Sequence, residues 1–216
     1  MKHRIISYSF VGVWKSPLNQ IPNFDRKFCL DLFQDPYNTH TGISPEGFLI
    51  TKQIGSPPFS SVLINPQRIQ ITGIEIFEVI ATYDKVIQEI VKATGGAVPL
   101  FFDNIGLNTE HEWSEMSESG EKWLTDKFIE KGLTKGNSQY YTKTYDIRFE
   151  LIGHDDRKFN ILLQPRAQNQ NAIFGAINDH RIWTSFTCPD AKTLEELYDD
   201  SIGELEQKIF RIFLTS

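Results

Sequence analysis

Only two cysteines, Cys29 and Cys188, stand in the 216 residues, and they lie far apart. A disulfide framework is therefore excluded as the source of stability, and both thiols are expected to be reduced, small and buried. No apolar run approaches the roughly 18 residues a membrane-spanning helix needs, so no membrane association is expected. The basic start Met1-Lys2-His3-Arg4 leads into no apolar signal core, and the expectation is a soluble, cytoplasmic chain. No glycine-rich loop follows a strand into a helix, because Gly95-Gly96 comes after a helical pattern, and neither a Gly-x-Ser-x-Gly nor a cysteine-centred motif is present. Nucleotide-dependent catalysis has no support, and no cofactor is expected.

What is present is an ordinary globular composition, 40% hydrophobic and 23% charged, well inside the range that buries a core. A chain of this length is read as one domain. Aromatics reach 12%, sixteen of them Phe, which favours sheet. The net charge of −6 is unevenly spread. Residues 1–74 carry seven Lys/Arg against four Asp/Glu, whereas Asp103 to Glu121 hold six carboxylates and no Lys or Arg, and Asp190 to Glu206 hold seven with only Lys192. Acidic surfaces repel phosphate backbones, so nucleic acid is disfavoured for the later two-thirds of the chain.

Hydrophobic periodicity gives an α+β chain: a mainly antiparallel sheet covered by two long amphipathic helices. Residues 3–14 read as a first strand and Asn23 to Gln34 as a short helix with Asn23 as its cap. The turn-rich stretch Asp35 to Pro58 is interrupted by one strand, Gly47–Lys52. A hairpin follows about Asn65-Pro66-Gln67, then a helix from Ile74 to Ala93 with Phe77, Ile80, Tyr83, Ile87 and Ile90 on one stripe. Leu100 to Leu107 reads as a strand and Glu118 to Lys131 as a shorter helix. Tyr145 to Leu151 alternates apolar and charged residues, Gly153 to Asp156 turns it, and two more strands complete a meander through Phe186. The last helix runs from Leu194 to Leu214, with a capping box at Thr193 and Glu196. The echo between Asn65-Pro66-Gln67-Arg68-Ile69 and Asn178-Asp179-His180-Arg181-Ile182 would follow from two related ββα halves, 1–95 and 96–216, and equally from chance.

Three segments, VLINPQRIQITGIEIFEVIATYDKVIQEI, FFDNIGLNTEHEW and AINDHRIW with the closing helix, carry a resemblance. Over about two-thirds of the chain it resembles a sporadically distributed family of uncharacterised bacterial α+β proteins. That family tends to continue the Ile105-Gly106-Leu107 strand with arginine and tyrosine, where Asn108-Thr109 stand here. The resemblance implies an α+β accessory protein whose patchy occurrence is the habit of antiphage-defence or toxin–antitoxin components; it transfers no functional residue.

Five histidines are scattered through the chain. Glu110-His111-Glu112 offers metal ligands, but a strand would point the carboxylates to one face and His111 to the other. His154-Asp155-Asp156 could bind a metal or relay a proton, although a hairpin needs such residues for backbone reasons alone. Asn178 to Arg181 places polar side chains in an apolar run, read foremost as Asp179 and Arg181 in solvent with His180 a bonded core residue, and otherwise as a site. A nuclease-like pairing of Asp190 with Glu206 and Lys208 fails because the second segment reads as helix.

The leading expectation is a non-enzymatic protein-binding or regulatory module whose partner meets the acidic surface of 103–121 and 190–206. The alternative is a metal-dependent hydrolase or nuclease assembled from Glu110, Glu112, His154, Asp155 and His180, with His154, Asp155 and His180 catalytic and Glu110, His111 and Glu112 at the metal. A third reading takes Arg4, Lys15, Arg26 and Lys27 with Tyr8, Phe10 and Trp14 as a nucleic-acid surface, against core aromatics on a strand.

Overall fold

The computed structural model describes residues 1–19, 21, 23–35, 37–53, 60–93, 100–128, 145–153 and 156–210. Among the described residues nine strands and four α-helices follow one another: β1 (Lys2–Trp14), α1 (Arg26–Leu32), β2 (Thr39–Ser44), β3 (Gly47–Lys52), β4 (Ser60–Ile64), β5 (Arg68–Gly73), α2 (Ile76–Ala93), β6 (Phe102–Ser114), α3 (Gly120–Phe128), β7 (Ile147–Ile152), β8 (Lys158–Pro165), β9 (Ile173–Ile182) and α4 (Ala191–Glu204). The strands pair in the order β2-β3-β4-β5-β1-β6-β9-β8-β7. The expected α+β class with a large antiparallel sheet is what forms. Two compact units divide the chain, one of Ser7–Leu107 with Asp179–Ser216 and a smaller one of Met1–Ile6 with Asn108–Asn178. Strands β1, β6 and β9 each contribute residues to both.

In the larger unit, β2 to β5 follow one another antiparallel, and β5 pairs with β1 in the register Phe10↔Ile71 and Val13↔Arg68. Asn65 makes the β4–β5 turn, its Oδ1 accepting from the backbone N–H groups of Gln67 and Arg68 at 2.9 and 2.8 Å. Gly47 closes the β2–β3 hairpin at φ 144°, a left-handed backbone in which a Cβ would also meet the Ile64 carbonyl. Alternate residues of the strands, Phe10, Ile50, Val62, Ile64, Ile69 and Ile71, are buried in one cluster with Val79, Tyr83, Val86 and Ile90 of α2 and with Leu194 and Tyr198 of α4. Burying each such aliphatic chain contributes about 1.5–3 kcal/mol. Phe10 meets Tyr83 and Phe102 edge-on, at 4.8 and 5.6 Å between centroids. Gly12 leaves the space that the Phe102 ring fills.

The helix termini differ in detail from expectation. Helix α1 is capped by Asp25, which accepts from Lys27 N–H, rather than by Asn23. Helix α4 is capped by Asp190, whose side chain accepts from Thr193 N–H at 2.7 Å, so Thr193 donates within the first turn instead of capping it. Helix α4, expected from Leu194 to Leu214, is α-helical over Ala191–Glu204 and continues as a π turn over Leu205–Ile209, the expected end lying outside the described residues.

In the smaller unit Trp113, Met116, Leu124, Phe159, Ile161, Leu163, Ala172, Ile173 and Ile177 are buried. Strand β7 pairs with β8 from Ile147↔Leu163 to Ile152↔Lys158. Its Ile147, Phe149 and Leu151 are half-buried while Arg148, Glu150 and Ile152 are exposed, the alternation expected from sequence. Asp156 takes a positive φ of 58° in the turn, where Gly153 N–H donates to the Arg157 carbonyl. Strand β6 reaches Ser114, seven residues beyond the expected end, and that extension carries Glu110-His111-Glu112.

Candidate functional site

In the smaller unit, the β6 extension meets the first residues of β1. His111 is 1% exposed. Its Nε2 lies 2.8 Å from Thr109 Oγ1 and its Nδ1 lies 2.9 Å from Nε2 of His3. The two imidazoles are within 12° of coplanar with centroids 5.2 Å apart. With that spacing and contact the rings meet head-on, in a straight N–H···N hydrogen bond. A transition metal would instead need both lone pairs to converge on one point about 2.0–2.1 Å from each nitrogen. The Trp113 ring lies nearly parallel to both imidazoles. Burial, reinforced by the His3 charge, pushes the His111 pKa down to about 3, so the ring is held neutral. A group so hard to protonate is a poor general base near neutral pH.

Glu112 points the other way along β6, as strand alternation requires. Its side chain is 11% exposed. Oε1 accepts from Arg4 Nε and a terminal guanidinium nitrogen at 3.1 and 2.8 Å, and Oε2 lies 3.4 Å from Arg166 Nε. Two guanidiniums on one buried carboxylate satisfy its charge. Glu110 is half-buried. Among the described residues no group of three or more His, Cys, Asp or Glu could hold a metal ion.

His154 and Asp155 lie outside the described residues. His180 is half-buried, and its Nδ1 has no hydrogen-bond partner among the described residues. The solvent placement expected of Asp179 is overturned: it is 0% exposed. Ile173, Gly175 and Ile177 point inward along β9, and Asp179 continues that series. Arg181, two residues on and on the same side, makes this tolerable. It donates to Asp179 Oδ2 at 2.7 and 3.1 Å and reaches the Leu197 carbonyl and Asp200 of α4, the latter at 2.8 Å. The polar segment is thus a latch between β9 and α4.

The acidic stretches separate into two kinds. In 103–121, Asp103 pairs with Lys15, Glu112 with Arg4 and Arg166, Glu115 with Lys2 and Glu118 with Lys122. The hydrogen bond from Lys15 holds the Asp103 carboxyl below the usual carboxylate range. Two members of the N-terminal basic patch are therefore spent on these pairs. Phe10 and Trp14 are buried and Tyr8 is half-buried with its ring edge-on to Tyr198, so core packing accounts for these aromatics. On α4, by contrast, Glu195 and Asp199 are exposed and lack an ion-pair partner among the described residues, as does Glu206 beyond it.

Strand β2 forms at Thr39–Ser44, within a stretch whose density of turn formers predicts only the Gly47–Lys52 strand. It helps form a cleft of about 480 Å³ in the larger unit, lined by Ile21, Phe24, Ile43 and Phe48 with Asn23, Asn65 and Gln67 among its polar groups. The alternation of Thr39, Thr41 and Ile43 was the signal for it.

No protein-family profile matches the chain, and no curated protein matches it significantly.

Two outcomes follow. An unfolded chain protonates His111 near its ordinary pKa, whereas the folded protein resists until about pH 3, so the native state loses stability as pH falls below about 6.5, at up to about 1.4 kcal/mol per pH unit. His111→Gln removes this component, so urea unfolding should show the wild-type advantage shrinking between about pH 7.5 and about pH 4.5; a constant difference would contradict it. Arg181→Met removes the guanidinium paired with the buried Asp179 carboxylate and should cost about 3–5 kcal/mol. Adding Asp179→Leu should recover much of that loss, and failure to recover would show that the latch works otherwise.

Proposed function

We propose that the chain is a non-enzymatic binding module that acts through a protein partner, as a regulatory or sensor subunit of a bacterial defence or toxin-neutralising system would. The reading is carried by the exposed side of α4. Glu195 and Asp199 stand one helical turn apart and face solvent without an ion-pair partner among the described residues, Lys192 of the same helix being paired with Glu196. The carboxylates of 103–121, by contrast, are largely neutralised by Lys2, Arg4, Lys15, Lys122 and Arg166. The partner therefore meets α4 rather than the earlier stretch. A basic protein surface is its natural complement, and the attraction acts before contact, raising the association rate in a salt-dependent way.

No helix among the described residues is long and apolar enough to cross a membrane. The metal-dependent hydrolase reading draws no support from the distances, because Glu112 is occupied by Arg4 and Arg166 and His111 faces His3.

The test is capture from a lysate of the source organism. The full chain should retain a basic partner at about 50 mM salt and release it near 500 mM, where the screening length falls below about 5 Å. Glu195→Lys with Asp199→Lys should abolish capture while leaving thermal stability within about 0.5 kcal/mol. A variant that captures as well as wild type, or no partner at low salt, defeats the proposal.

A further inference from the structure

We infer that the outer edge of β2, together with the adjoining cleft, is a docking site for an extended, uncharged segment of a partner protein, which adds to the sheet as a further strand. The inference rests on the protein-binding reading but uses a different surface of the larger unit and no charge of α4.

The backbone specifies the occupant's conformation. Among the described residues β2 is the last in the strand order and pairs with β3 alone, in the register Thr39↔Lys52 to Ser44↔Gly47. Gln53 N–H donates to the Asn38 carbonyl at 3.1 Å, making residues 38 and 53 a hydrogen-bonded pair. Antiparallel alternation then turns the backbone groups of His40, Gly42 and Ser44 toward β3 and those of Thr41 and Ile43 away from it. Among the described residues nothing pairs with those outward groups. A row of N–H and C=O groups at strand spacing is satisfied by another strand and by little else.

The side chains specify the occupant's character. Thr39–Ser44 contains no Lys, Arg, Asp, Glu or Pro, the residues that ordinarily blunt a sheet edge. Ile43 is 91% exposed, and a Cβ built on Gly42 meets nothing within 4 Å. Ile43 also lines the cleft, beside its cross-strand neighbour Phe48, whose ring stacks on Phe24 at 5.4 Å. A strand laid along β2 would place a residue directly across from Ile43. A β-branched or aromatic side chain there covers Ile43 and enters the cleft, while a charged one would be desolvated against Ile43, Phe24 and Phe48, the cleft's carboxylate Glu46 being paired with Arg68.

The test screens the full chain against a display library of short random peptides and follows the selected peptide by amide hydrogen exchange. Selected sequences should share an apolar residue in an extended, uncharged run, and binding should slow exchange at Thr41 and Ile43 at least about tenfold. Ile43→Pro removes an N–H that β3 does not use and should abolish binding with the fold intact. Should proline disturb β2, Ile43→Lys keeps the N–H and should still weaken binding at least about tenfold. Glu195→Lys with Asp199→Lys should leave peptide binding unchanged, which separates failure here from failure of the α4 reading. Protection elsewhere, no enriched peptide, or a dimer that Ile43→Pro dissolves in sedimentation would overturn the assignment, the last by showing that a second copy fills the edge.

Discussion

Strand β1 lies between β5 and β6 in the strand order, and what is distinctive in each unit depends on that position. In the larger unit it sets Phe10 against Tyr83 and Phe102 and puts Gly12 where the Phe102 ring needs room. In the smaller unit it delivers Lys2, His3 and Arg4 to Glu115, His111 and Glu112. An ionised carboxylate as enclosed as Glu112 is costly unless paired. Pairing with Arg4 and Arg166 converts an acidic sequence into a nearly neutral piece of sheet.

Charge counted along the chain therefore misleads about charge in space. The contrast between basic residues 1–74 and acidic residues 103–121 marks complementarity between neighbouring strands more than an exposed field. The second stretch escapes this fate in part: α4 buries Leu194, Tyr198 and Ser201, Glu196 pairs with Lys192 and Asp200 with Arg181, and Glu195 and Asp199 stay exposed without an ion-pair partner among the described residues. Arg181 then fixes that helix through Asp179 and Asp200, so the segment that looked like a candidate site supports the acidic face instead.

Much of the fold was legible where burial has a regular period. Strand β7 shows it at alternate residues, and α2 was legible as a helix but not in its buried stripe, since Val79, Thr82, Tyr83, Val86 and Ile90 are buried while the expected Phe77 is 68% exposed; the Asn65 hairpin announces itself through turn chemistry. Strand β2 was hidden because Thr, Gly and Ser read as turn formers when no buried face marks the period; an edge strand needs none. The end of β6 was hidden by its polar residues, whose partners come from β1, more than a hundred positions away. Asp179 was misplaced because a carboxylate reads as exposed until its counter-ion is known. The Asp190 cap was passed over for Thr193 because two capping patterns overlap within three residues. The candidate site was legible only as residue types: His111 and Glu112 were singled out, but neither His3 nor Arg166 could be assigned to them without the strand order.

The proposed partner meets Glu195 and Asp199 of α4, and not the paired carboxylates of 103–121. Carbodiimide-driven amidation of the folded chain, read residue by residue by mass spectrometry, measures directly which carboxylates are available. Glu195 and Asp199 should be modified fastest and Glu112 slowest, with the paired Asp103, Glu115 and Glu118 lagging behind α4. Equal rates across the two stretches would contradict the account.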